Sequence, residues 1–139
     1  MSNKEVEIVI VEDSPSDIEL LMRVFKKNNM LNNIIFLKDG EEALEFFQKV
    51  DGKSSKSRLV LLDLKLPKVG GIEVLKQIKS DEHTKDIPVI ALTGSQEDRD
   101  LKDSKGAGVS DYITKPLTFN DFAKATAKLG MRWVLLDEG

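Results

Sequence analysis

The stretch "VLLDLKLP", residues 60–67, sets one acidic side chain, Asp63, inside an otherwise apolar run. Short, dense Val and Leu segments of this kind are strands buried on both faces of a sheet. An ionised carboxylate is seldom fully buried unless it is paired or bound to a metal. Asp63 is therefore expected as the last residue of a central strand, emerging at the sheet's open edge. What offsets its charge must come from elsewhere in the chain.

Working outward, apolar runs alternate with helical patterns. "VEIVIV" (6–11), "NIIFL" (33–37), "RLVLLD" (58–63), "IPVIALT" (87–93) and "SDYIT" (110–114) read as five strands. Between them, Ile18, Leu21, Met22 and Phe25 keep helical spacing, as do Ala43, Phe46, Phe47 and Val50, and then Gly71, Val74, Leu75 and Ile78. Ser14, Pro15 and Asp17 suit the cap, first position and first turn of the first helix. A fourth helix over 96–108 has only Leu101 as a large apolar residue. A last helix carries the stripe Phe119, Phe122, Thr126, Leu129, Trp133 and Leu136.

Five β-α repeats predict an α/β fold: a flavodoxin-like (βα)5, doubly wound, five-stranded parallel sheet with strand order 2-1-3-4-5. In that order the chain reverses between strands 1 and 3, and ligands bind there at the carboxyl ends of the strands.

The bulk properties limit the function classes. A chain of 139 residues, 40% hydrophobic and 32% charged, is long enough for one cored domain, expected over 1–139 with no output domain attached. The absence of cysteine excludes disulfides and thiolate metal sites. A net charge of −3 lacks the basic excess of a nucleic-acid-binding domain. The apolar stretch near the N-terminus is too short and too acidic for a signal peptide, and no run approaches the roughly 18 residues of a membrane span. A cytoplasmic protein is expected, with no nucleic-acid or membrane partner.

Under the predicted topology, Glu12 and Asp13 at the end of strand 1 and Asp63 at the end of strand 3 converge at the switch point. Thr93 ends strand 4, and strand 5 runs into Lys115 at the same edge. Carboxylates gathered there repel by about 4 kcal/mol per pair at 4 Å and an effective dielectric near 20, before screening. Such a site invites a divalent cation. The donors are all oxygen, which favours a hard ion, Mg²⁺ first. With that ion a carboxylate can act as nucleophile toward a phosphoryl group, and Lys115 and Thr93 can donate to its oxygens.

"IVIVEDSPSD", "LVLLDLKLPKVGG", "IPVIALTGS" and "DYITKPL" together resemble the receiver domain of two-component response regulators, in order and spacing, over essentially the whole chain. The resemblance implies a signalling switch rather than an enzyme. It implies Asp63 as phosphoacceptor, taking the group from a sensor histidine kinase. It implies Mg²⁺ on Asp13, Asp63 and the backbone carbonyl of Lys65, with Glu12 acting through water. Thr93 and Lys115 become the phosphoryl-sensing residues and Tyr112 the aromatic switch, and the Lys115–Pro116 bond is cis. Among single-domain receivers, "VEDSPSD" and the tryptophan-bearing last helix are similar to regulators that accompany phytochrome-type kinases. The expected output is switching of the face made by the fourth helix, fifth strand and last helix, for partner binding or a homodimer.

Plainer readings stand beside these. Tyr112 can be an ordinary packing residue of a strand. His83, the only histidine, lies in the polar loop "SDEHTKD" and reads as solvent-facing. Trp133, Leu135 and Leu136 suit either core cover or self-association. The alternative function is an atypical, non-phosphorylated receiver that serves as a protein interaction module. A flavin carrier would need a Ser/Thr/Gly phosphate loop where "EDSPSD" stands. Lys65, two residues past Asp63, is expected to obstruct an attacking water, and Gly94 to leave the approach to Asp63 open.

Overall fold

Five parallel strands, β1 (Val6–Val11), β2 (Ile34–Leu37), β3 (Ser57–Asp63), β4 (Val89–Thr93) and β5 (Asp111–Thr114), form one sheet in the order β2-β1-β3-β4-β5. This computed structural model describes residues 6–30, 32–51, 57–66, 68–94 and 105–129. The helices are α1 (Pro15–Lys27), α2 (Gly40–Gln48), α3 (Gly71–Ser80) and α5 (Phe119–Ala127), with residues 105–107 helical as α4. The topology is the one predicted. Most of the expected fourth helix, and Trp133, Leu135 and Leu136, lie outside the described residues.

The central strands alternate their side chains between two cores. Ile8, Ile10, Leu59, Leu61, Ile90 and Leu92 face one side, with Leu21 and Phe25 of α1 and Phe122 of α5. Val9, Val11, Val60, Leu62, Val89 and Ala91 face the other, with Phe47 of α2 and Val74, Leu75 and Ile78 of α3. A strand covered on both sides needs apolar residues at every position, which is why β3 reads as a continuous run. Phe25 and Phe122 meet edge to face, with ring centroids 5.0 Å apart, and join α1 to α5.

The starts of β2, β3 and β5 shift by one residue from the expected ranges and that of β4 by two, the last for a local reason. β4 begins at Val89 rather than Ile87, because Pro88 has no N–H for the ladder and only its carbonyl is used, by Val60 N–H at 3.0 Å. β1 covers Val6–Val11, the range expected, and Glu12 and Asp13 are the first residues beyond it. They leave the sheet as the chain turns into α1.

At the opposite end of the sheet, buried Glu7 pairs with Arg58 at 2.9 Å. The two residues are register partners on β1 and β3. α1, α2 and α5 are capped by side chains: Ser14 Oγ accepts from Asp17 N–H, Asp39 Oδ1 from Glu42 N–H, and Thr118 Oγ1 from Asp121 N–H.

Among the described residues, no helix is long and apolar enough to cross a membrane.

Candidate functional site: an acidic cluster closed by one lysine

Parallel strands deliver their carboxyl ends to one edge of the sheet, and the acids collect there. Asp63 is the last residue of β3 and is only 6% exposed. Glu12 is fully buried and Asp13 is exposed. Carboxylate oxygens of Glu12, Asp13 and Asp63 lie within 4.8 Å of one another.

Lys115 closes this cluster. Its Nζ stands 2.9 Å from Asp63 Oδ2, 2.9 Å from Glu12 Oε1 and 3.0 Å from Asp17 Oδ2. The contacts to Asp63 and Asp17 are aligned hydrogen bonds. The contact to Glu12 is an ion pair without that alignment. Glu12 Oε1 is buried and, among the described residues, has no hydrogen-bond partner, whereas Ser14 N–H donates to Oε2 at 3.2 Å. Lys65 N–H donates to Asp63 Oδ1 at 2.9 Å. Both oxygens of Asp63 are therefore held, one by the loop after β3 and one by the residue after β5.

Charge and burial act against each other here. Burial pushes the Glu12 carboxyl up from 4.5 to about 7, helped by the hydrogen bond its protonated form donates to Asp63 and by repulsion from the Asp63 carboxylate, while Lys115 pulls it down. Burial alone would lower the Lys115 ammonium, but its contacts with Glu12, Asp63 and Asp17 outweigh that and hold it above the ordinary lysine value. Lys115 is thus charged throughout the physiological range.

The donor set fits a hard divalent cation. It offers only oxygens, crowded within 4.8 Å, and one buried carboxylate oxygen still lacks a hydrogen-bond donor.

The backbone around the site is tight on one side and open on the other. A Cβ on Gly71 would lie 2.5 Å from Asp63 O and 2.6 Å from Leu64 Cα, so the turn from β3 into α3 needs glycine there. A Cβ on Gly94 would meet nothing within 4 Å. Room for a side chain at Gly94 does not by itself expose Asp63, which is nearly covered, with Lys115 and Lys65 N–H holding its two oxygens.

The remaining sequence-predicted residues lie as follows. Thr93 is buried at the end of β4, one residue beyond Leu92, the register partner of Asp63; its carbonyl accepts from Lys115 N–H at 2.8 Å. The Lys115–Pro116 bond is cis. Tyr112 is half-buried, packs with the α2–α3 core, and has Lys105 Nζ 5.7 Å from its ring centroid. His83 is exposed.

Asp17 is the residue that the sequence reading assigned only to the helix dipole. A first-turn acid in the helix following β1 stays at the carboxyl edge of the sheet. That placement was the available signal.

Comparisons with known proteins agree with this geometry. Residues 8–127 match the family described as response regulator receiver domain. Response regulator Rcp1 of Synechocystis is 36% identical over 96% of this chain and 92% of its own. The solved structure of the bacteriophytochrome response regulator AtBRR is 41% identical, with a TM-score of 0.82 over 98% of this chain and all of that one. The bacteriophytochrome response regulator RtBRR is 37% identical, with a TM-score of 0.81 over 96% of this chain and 83% of that one. A fold in this strand order, with its acids gathered at the switch point and a family match across nearly all of the sheet, makes this chain a member of the response regulator receiver domain family of two-component signalling.

Proposed function

We propose that Asp63 accepts a phosphoryl group from the phosphohistidine of a sensor histidine kinase. The observation that carries this reading is the Asp63 carboxylate itself, set at the strand end among two further acids and hydrogen-bonded to Lys115. Asp13, Asp63 and the carbonyl of Lys65 would hold Mg²⁺, with Glu12 acting through water. The chemistry supplied by the bound ion is neutralisation of charge on the transferring group and its alignment.

The protein's own residues do the rest. Lys65 N–H fixes Asp63 Oδ1, which orients the carboxylate. One carboxylate oxygen forms the new O–P bond as the donor's N–P bond breaks, and the electron pair stays on the imidazole nitrogen. Lys115 then donates to a phosphoryl oxygen, as does the Thr93 hydroxyl. Thr93 and Lys115 are joined through the backbone at the edge of β4 and β5. Their movement toward the phosphoryl group biases the face of α4, β5 and α5, with Tyr112 as the aromatic switch. The names of the similar bacteriophytochrome regulators support a phytochrome-type kinase as the donor. The output is binding to a partner protein or to a second copy of the chain, in the cytoplasm.

The test is incubation with acetyl phosphate and Mg²⁺, read by intact mass. One phosphoryl group is expected on the wild-type chain and none on Asp63→Asn. An unmodified wild-type chain that also ignores beryllofluoride would sink the proposal and leave the non-phosphorylated interaction module in its place.

A further inference from the structure

We propose that Asp17 is a positioning residue for Lys115: it occupies one of the three ammonium donors and has to yield it when a phosphoryl group arrives on Asp63. The inference rests on the function proposed above. It starts from a count of donors. An ammonium has three N–H groups and no acceptor, and three carboxylate oxygens surround Lys115 Nζ at 2.9, 2.9 and 3.0 Å. With two donors bonded to Asp17 and Asp63 and the third side closed by the unaligned Glu12 Oε1 at 2.9 Å, a phosphoryl oxygen reaches Lys115 only if one of these contacts lets go.

The three are not equivalent. Glu12 is fully buried, and Asp63 is the proposed acceptor. Asp17 lies outside the crowded set of Glu12, Asp13 and Asp63 oxygens, and its side chain is 34% exposed, so water can replace Lys115 there at low cost. Its place is nevertheless fixed, because Ser14 Oγ takes its backbone N–H at the helix cap. Leu20, Leu21, Leu92, Pro116 and Leu117 line a mostly apolar cleft around Glu12, Asp17 and Lys115. Of the two carboxylates in that cleft Asp17 is the partly exposed one, and its pull on the ammonium competes with those of Glu12 and Asp63.

The consequence has two opposite signs. While Asp17 shares Lys115, more negative charge is left on Glu12 and Asp63 for a cation. The same sharing opposes donation to an anionic group on Asp63. Asp17→Asn should therefore weaken Mg²⁺ binding and tighten binding of beryllofluoride at saturating Mg²⁺, each by about threefold, the size of a partly exposed ion pair. Calorimetric titration of Mg²⁺ and amide NMR titration of beryllofluoride read the two affinities, and Asp17→Glu, which keeps the carboxylate, should move both back toward the parent. A purely structural role would move both affinities in the same direction, and that result, or no change in either, overturns the inference. A parent chain that binds no beryllofluoride at saturating Mg²⁺ refutes the proposed function itself, and the inference falls with it.

Discussion

Lys115 Nζ donates to Asp63 Oδ2 at 2.9 Å, although the two residues are 52 positions apart in the chain. The contact exists because β3 and β5 both run their carboxyl ends to the same edge of the sheet, with β4 between them. One cation there faces Glu12, Asp17 and Asp63 together.

Removing that cation leaves buried negative charge without compensation. Lys115→Ala should destabilise the metal-free chain by about 2 kcal/mol, less than for a fully buried pair because the lysine is partly exposed. Saturating Mg²⁺ should recover most of the loss. Urea denaturation with and without Mg²⁺ measures both, and a loss that Mg²⁺ does not touch would contradict the charge argument.

Glu12 should make stability depend on pH. Its folded value is about 7 against an ordinary 4.5, so the folded state holds the extra proton between those values. Where the folded state binds more protons, stability falls as pH rises. The loss begins near pH 4.5 and is complete above about 7, in chelator-treated protein. Glu12→Gln has no proton to lose. Its stability relative to the parent should improve by roughly 1–3 kcal/mol between pH 5 and pH 8. Parallel pH profiles for the two chains would refute this.

Two glycines near Asp63 should respond oppositely to a methyl group. Gly71→Ala puts a Cβ against Asp63 O and Leu64 Cα, both backbone atoms that cannot rotate away. A cost of about 2 kcal/mol or more is expected, with altered amide shifts in the loop after β3. Gly94→Ala meets open space and should stay within about 0.5 kcal/mol of the parent. Thermal melts of the pair decide it.

Lys65 should govern how long the phosphoryl group survives. Its backbone N–H already holds Asp63 Oδ1, and its side chain is exposed beside the acceptor. Lys65→Ala keeps the backbone bond and removes the side chain that is expected to obstruct an attacking water. Phosphoryl loss should quicken by about threefold or more if the barrier to water changes by roughly 0.7 kcal/mol. An unchanged decay rate would end this idea.

The short, dense apolar runs and the helical spacings between them made the fold legible in the sequence. A strand such as β3, apolar from Leu59 to Leu62, has to be covered on both faces, and five short strands alternating with helices leave few topologies. The same logic sends Glu12, Asp13, Asp63, Thr93 and Lys115 to one edge, since parallel strands end together. The start of α1 was legible for the same local reason, since Ser14 caps within three residues of itself; the structure adds Asp39 and Thr118 as caps of the same kind.

Contacts that depend on side-chain reach were not legible. Asp17 reads in sequence as an ordinary first-turn acid, and only the crossing of α1 past the loop after β5 turns it into a partner of Lys115, 98 positions away. The burial of Asp63 was hidden for a related reason. An open residue at Gly94 suggests an open acceptor, yet Lys115 and Lys65 N–H close over it from two other segments. The sequence by itself determined which chemistry reaches the sheet edge, because strand direction and residue type are local properties. How the charges divide one ammonium among three carboxylates was decided by tertiary structure alone, because that division depends on distances and burial set by chain segments far apart in sequence.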